Sequence, residues 1–225
     1  VAEIILALDL PGAEARRLLD RIPDLRWVKV GPILFVREGP ALLRELVDRR
    51  LKVFLDLKWH DIPNTVAEAV AAAREAGVAM ATVHALGGTA MMAAAAQAAG
   101  PVLGLVGVTV LTSHSAASYG EAVGRDVGEI LPEVSRLAAS ACRSGLKGVV
   151  CSPLEVAAVR GSVGVEGWIV VPGIRRAGDP AGDQVRTAPP ADAARAGATH
   201  LVVGRPILQA ADPAAAFREM SADAC

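Results

Sequence analysis

Asp56, Lys58 and Asp61 place acid, base and acid within one short stretch, K-V-F-L-D-L-K-W-H-D-I-P-N-T from Lys52 to Thr65. Groups of these types serve electrostatic stabilisation and proton transfer. Val53, Phe54 and Leu55 have strand chemistry. Successive strand residues point to opposite faces, so Asp56 and Lys58, two apart, share a face. Asp61 follows where Pro63 suits the first turn of a helix. An ordinary reading exists: Asp61 as an N-cap, and Asp56 with Lys58 as a solvated ion pair. The elements around them must decide.

Those elements repeat. Strand-like runs end near Asp9, Gly31, Trp59, Leu86, Leu111, Pro153, Ile174 and Pro206, each followed by a helix-like or loop segment. The helical segments are expected over Ala13–Arg21, within Pro32–Arg49, and over Pro63–Ala76, Thr89–Ala99, Glu129–Ser144, Leu154–Arg160 and Ala191–Ala196, and from Pro213 onward. Ser113–Gly128 reads as a loop, and the last strand reads as His200–Ile207. Strict alternation implies a parallel sheet, and the near-continuous apolar runs suit strands buried on both faces. Eight such units, with no dinucleotide fingerprint after the first strand, predict an α/β fold of the (β/α)8 TIM-barrel type, a single domain spanning residues 1–225.

In such a barrel the chemistry sits where strands end. Here those positions carry Asp9, Lys29, Asp56, Lys58, His84, Thr112, Ser152 and Arg205. Polar groups converging on one face weigh against a scatter of solvated pairs. The loops after strands seven and eight, where barrels often bind phosphate, read P-G-I-R-R-A-G-D-P-A-G-D-Q-V-R and G-R-P-I. Gly173 and Gly204 let backbone N–H groups approach an anion. Arg175 or Arg205 can fork onto phosphate oxygens, and Gln184 can bridge phosphate and a polar heterocycle. The segment Gly173–Gln184 has the length and composition of a lid. Arg176 and Arg186 read as ordinary surface arginines.

Composition bounds the rest. The 225 residues are 52% hydrophobic and 21% charged with a formal net charge of −1, so a sizeable core is available and no basic field invites nucleic acid. The three cysteines, Cys142, Cys151 and Cys225, form no metal-ligand spacing and no disulfide framework, which suits a reducing cytoplasm. No signal peptide is legible. The stretch Ala76–Gly120 holds no Asp, Glu, Lys or Arg, yet its glycines and Pro101 punctuate it as buried barrel material, not a membrane span.

The motifs D-L-K-W-H-D-I-P-N-T, L-A-L-D, K-V-G, V-T-V-L-T-S, V-C-S-P, P-G-I-R with D-Q-V-R, and V-V-G-R-P-I occur in order along almost the whole chain. Together they resemble the orotidine 5′-phosphate decarboxylase family. D-x-K-x-x-D alone is shared with sugar-phosphate enzymes of the same superfamily; P-G-I-R with D-Q, joined to G-R-P, is more specific. Two positions depart from the family pattern: Arg176 stands where proline often follows P-G-I-R, and A-P-P-A-D-A at Ala188–Ala193 replaces T-P-A-D-A. Both lie at the edge of the expected lid.

The resemblance implies decarboxylation of orotidine 5′-phosphate to uridine 5′-phosphate and CO2 in the cytoplasm, the last step of de novo pyrimidine biosynthesis, with no metal and no cofactor. It implies Lys58 as proton donor to C6 and Asp56 beside the substrate carboxylate. Lys29 would hold Asp56 and a ribose hydroxyl, with Asp9 also on the ribose. Thr112 would contact the pyrimidine. Pro172, Arg175, Gln184, Gly204 and Arg205 would meet the remainder of the nucleotide, chiefly its phosphate. Asp61, Ile62 and Thr65 would reach the neighbouring subunit's site in a homodimer. His84 is expected to line the pocket, and His60 has no role. The alternatives are a magnesium-dependent sugar-phosphate decarboxylase or aldolase on the same barrel, which would not need Gln184, and a non-catalytic nucleotide-binding protein.

Overall fold

The computed structural model describes residues 1–176 and 186–225. Eight parallel strands close into a barrel in sequence order, as the alternating pattern predicts. They are β1 (Glu3–Ala7), β2 (Trp27–Val30), β3 (Lys52–Trp59), β4 (Met80–His84), β5 (Gly104–Val108), β6 (Gly148–Val150), β7 (Trp168–Val171) and β8 (His200–Val203), and β8 pairs with β1. The pleat sorts their side chains into two layers. Ile5, Ala7, Trp27, Phe54, Met80, Val106, Val170 and Val202 form one cluster, the barrel interior. Their neighbours Ile4, Leu6, Val28, Val53, Leu55, Ala81, Leu105, Val149, Ile169, Leu201 and Val203 join the larger core beneath the helices. Burying a side chain such as Phe54 contributes about 1.5–3 kcal/mol.

The helices follow from periodicity and punctuation. The first, α1 (Gly12–Arg21), buries Ala15, Leu18 and Leu19 at helical spacing. Where one helix is expected within Pro32–Arg49, two form: α2 (Pro32–Glu38) and α3 (Pro40–Asp48). Gly39 separates them at φ 68, and Pro40 starts the second at a position that needs no N–H donor. The helices α4 (Pro63–Glu75) and α5 (Gly88–Ala99) follow β3 and β4.

The Ser113–Gly128 segment is not all loop. It contains α6 (Ala116–Val123), opened by Ser115, whose hydroxyl accepts from the Ser118 N–H, and closed by left-handed Gly124. Next come α7 (Ile130–Arg143), α8 (Val156–Val163) and α9 (Pro190–Arg195). The last strand is shorter than His200–Ile207. It ends at Val203, and Arg205 opens α10 (Arg205–Leu208), because Pro206 fits a first helical turn and not a central strand. The chain closes on α11 (Pro213–Asp223), capped by the Asp212 carboxylate. No helix among the described residues is long and apolar enough to cross a membrane.

The N-terminal end of the barrel is plugged. Trp27, Trp168 and His200 stand at the first positions of β2, β7 and β8 with ring centroids 5.0–6.2 Å apart, edge to face. Lys52 lies 5.2 Å from the Trp27 ring and Lys147 5.9 Å from the Trp168 ring. A Cβ on Gly104 would come 1.9 Å from the Trp168 ring, so this plug requires glycine at the start of β5. The opposite, C-terminal end is open among the described residues.

Candidate active site

The open end leads into a cavity of about 850 Å³. Its floor is apolar: Phe54, Val108, Val150 and Val202 point into it from four strands. Four of the charged side chains lining it, from β1, β2 and β3 or just beyond, alternate in sign. Lys58 Nζ is 2.9 Å from both oxygens of Asp56. Lys29 Nζ is 3.1 Å from Asp9 Oδ1 and 3.9 Å from Asp56 Oδ2. Asp9, Lys29, Asp56 and Lys58 thus form one chain of opposite charges with no net charge. Asp56 and Lys29 are largely buried, with side chains 13% and 12% exposed, whereas Lys58 at 36% remains accessible. Pairing compensates the burial of the inner two.

An irregularity in β3 makes this geometry. The β3–β4 register shifts between Leu55 and Trp59, and Lys58 adopts φ 52, a left-handed conformation costing a non-glycine residue about 1–2 kcal/mol. Fully buried Thr82 on β4 holds it there. Its hydroxyl accepts from the Lys58 N–H at 2.8 Å and donates to Asp56 Oδ1 at 3.1 Å. Backbone strain concentrated at a charged cavity edge is characteristic of a functional position. Nothing in the sequence reading singled out Thr82, although a lone hydroxyl in the apolar run M-A-T-V-H was its available signal.

Thr112, Pro172, Gly173, Arg175, Gly204 and Arg205 line the same cavity on the side of β5, β7 and β8. Arg175 is 8% exposed, and its segment pairs with the chain at Ala188, whose carbonyl accepts from the Arg175 N–H at 3.1 Å. Gln184, and with it most of the expected lid Gly173–Gln184, lies outside the described residues.

Asp61, Ile62 and Thr65 do not line the cavity of their own chain. All three are exposed, and Asp61 turns its carboxylate to accept from the Ile62 N–H at 2.6 Å. Three expectations need correction. His84 stays outside the cavity lining: its ring stacks on His60 at 5.6 Å, and burial, helped by the charges of His60 and Lys58, pushes its pKa down to about 4. Ser152 is fully buried behind the wall; the residue at that strand end that faces the cavity is Cys151, whose thiol burial pushes up to about 12, so it stays neutral. Arg186 is no surface arginine. Its side chain is 11% exposed and paired with Glu155, itself 5% exposed. The reading of Arg176 as a surface residue holds better, with its side chain 36% exposed and 3.6 Å from Glu219.

Among the described residues no group of three or more His, Cys, Asp or Glu is arranged to hold a metal ion. The arrangement can instead present an ammonium to a developing negative charge above an apolar floor, with an anion held at the arginine side.

A closed (β/α)8 barrel with paired acids and bases at its C-terminal mouth has the build of a TIM-barrel enzyme. The comparisons narrow the class. Residues 2–220 match the model of the Orotidine 5'-phosphate decarboxylase / HUMPS family, and the chain belongs to that family. It is 50% identical over 221 residues to the orotidine 5′-phosphate decarboxylase of Anaeromyxobacter sp. (strain K), covering 97% of this chain and 96% of the relative. It is 50% identical over 225 residues to that of Halorhodospira halophila, covering 98% and 94%. The crystal structure of orotidine 5′-phosphate decarboxylase from Lactobacillus acidophilus superposes with a TM-score of 0.88 at 36% identity, over 100% of this chain and 99% of that one.

Proposed function

We propose that the protein decarboxylates orotidine 5′-phosphate to uridine 5′-phosphate and CO2, the closing step of de novo pyrimidine biosynthesis. The observation that carries the reading is the chain Asp9–Lys29–Asp56–Lys58 at the edge of an apolar cavity, with Lys58 the more accessible cation.

Loss of CO2 from C6 leaves an electron pair in the plane of the pyrimidine, where the ring π system cannot delocalise it. Stabilisation must be electrostatic and preorganised. The Lys58 ammonium supplies it and then donates the proton to C6. Asp56 lies beside the scissile carboxylate. Two charges 4 Å apart interact by about 4 kcal/mol at an effective dielectric of 20, and this repulsion vanishes as neutral CO2 departs. Lys29 holds Asp56 in place against it and, with Asp9, receives the ribose hydroxyls. Thr112 meets the pyrimidine. Pro172, Arg175, Gln184, Gly204 and Arg205 receive the rest of the nucleotide, chiefly its phosphate, and their remote binding energy is spent on the reacting centre. A demanding decarboxylation needs roughly 20 kcal/mol of barrier lowering, more than any one pair supplies.

The working form is a homodimer in the cytoplasm, with Asp61, Ile62 and Thr65 of each protomer entering the neighbour's site. Support comes from exposed apolar side chains on the connections leaving three adjacent strands: Ile33 and Val36 after β2, Ile62 after β3 and Leu86 after β4. The free cysteines Cys142, Cys151 and Cys225 suit a reducing compartment.

The test is the ultraviolet absorbance of orotidine 5′-phosphate mixed with protein in excess EDTA, beside Lys58→Ala. Loss of the substrate band with appearance of uridine 5′-phosphate, reduced at least about 10⁴-fold in kcat by the substitution, is the expected result. Turnover of a sugar phosphate only when magnesium is restored would support the metal-dependent alternative. Nucleotide binding without turnover of any phosphate substrate would leave a binding protein.

A further inference from the structure

The buried pair Arg186–Glu155 has no part in the mechanism above, and Arg186 does not touch the cavity. It stands behind the wall and joins three loops. Its guanidinium pairs with Glu155 Oε1 and donates to the Leu111 carbonyl at 3.0 Å. The other Glu155 oxygen accepts from the Ser152 N–H at 2.8 Å. Two residues further along from Arg186, Ala188 is bridged to Ile174, and its carbonyl is bonded to the Arg175 N–H. The loops after β5, β6 and β7 therefore meet at one cation.

What these loops carry gives the pair its meaning. Leu111, Thr112 and Ser113 line the cavity after β5, Cys151 after β6, and Arg175 after β7. A serine-glutamate cap needs no arginine to close a helix start, and a buried ion pair is a poor source of net stability compared with apolar packing. A planar fork that reaches a carboxylate and a carbonyl together is, however, a rigid positioning element.

We infer that Arg186, oriented by Glu155, is a positioning residue that fixes the Leu111 carbonyl and so sets Thr112 against the nucleobase. The inference rests on the decarboxylase reading and adds to it a residue that acts only through another.

Arg186→Lys keeps the charge but not the fork. It is expected to fold with a melting temperature lower by no more than several degrees, while kcat/KM for orotidine 5′-phosphate falls on the order of 10²-fold. In a Thr112→Val background, where the positioned side chain has already lost its hydroxyl, the same change should cost less than about threefold. Glu155→Gln should reproduce the loss. An Arg186→Lys protein with kcat/KM within about threefold of the unmodified enzyme, or full additivity with Thr112→Val, would overturn the inference alone. Absence of turnover in the unmodified protein would overturn the decarboxylase reading, and this inference with it.

Discussion

Thr82 and Lys58 are joined across two strands: the Lys58 N–H donates to the Thr82 hydroxyl at 2.8 Å, at the point where Lys58 turns left-handed. The same hydroxyl reaches Asp56 at 3.1 Å. One buried threonine thus fixes both the Lys58 backbone, which carries the proposed proton donor, and the Asp56 carboxylate beside it.

Thr82→Val keeps the volume and removes the hydroxyl. The Lys58 N–H is then unpaired in a part-buried site, which costs about 1–3 kcal/mol, and the ammonium shifts relative to Asp56. The expected result is a melting temperature lower by several degrees and a kcat lower on the order of 10²-fold. Thr82→Ser, which keeps the hydroxyl, should restore most of both. A fully active valine variant would show that Thr82 does not position Lys58.

Ile62 is 66% exposed on the rim next to Asp61. If the two protomers meet there, Ile62→Asp places a charge in the contact and weakens it by at least about 2 kcal/mol, roughly thirtyfold in dissociation constant. Sedimentation should then report monomer at micromolar protein, and specific activity should fall on dilution. A monomeric variant with undiminished activity would remove Asp61 from the neighbour's site.

His200, 6% exposed in the N-terminal plug, has its pKa lowered from 6.5 to about 4 by burial, with Lys52 adding to the effect. Between those values the unfolded chain binds a proton that the folded one does not. Stability is therefore full above pH 6.5 and falls as pH drops towards 4, by about 3 kcal/mol for this group as an order of magnitude. His200→Phe keeps a ring in the plug and removes the titration. Urea unfolding at pH 7 and pH 4.5 should show a smaller acid loss in the variant; equal losses would assign the acid sensitivity to other groups.

Much of the barrel is legible because its grammar is local. Apolar runs bounded by glycine and proline mark the strands, and the polar residues at their ends mark the mouth. Asp56 and Lys58 were expected to meet by simple alternation. They meet with the help of a register shift and a positive φ, which a pleat argument does not contain. The break at Gly39-Pro40 was available as a glycine–proline pair but was masked by the helical apolar spacing on either side. Arg186 and Glu155 lie in different loops, so their pairing depends on distance in space, which no local pattern reports. The S-P-L-E run, with Glu155 three residues after Ser152, was the one local trace of that network.

The aromatic plug has a consequence for traffic. Trp27, Trp168 and His200 stop one end of the barrel, and Ile5, Met80, Val106 and Val170 fill the shaft above them with no exposed surface. The reaction chamber is a cul-de-sac. Among the described residues the N-terminal end offers no passage, so under the proposed function nucleotide and carbon dioxide use the C-terminal mouth, and arrival, loss of gas and departure of the product form a queue and not a flow-through.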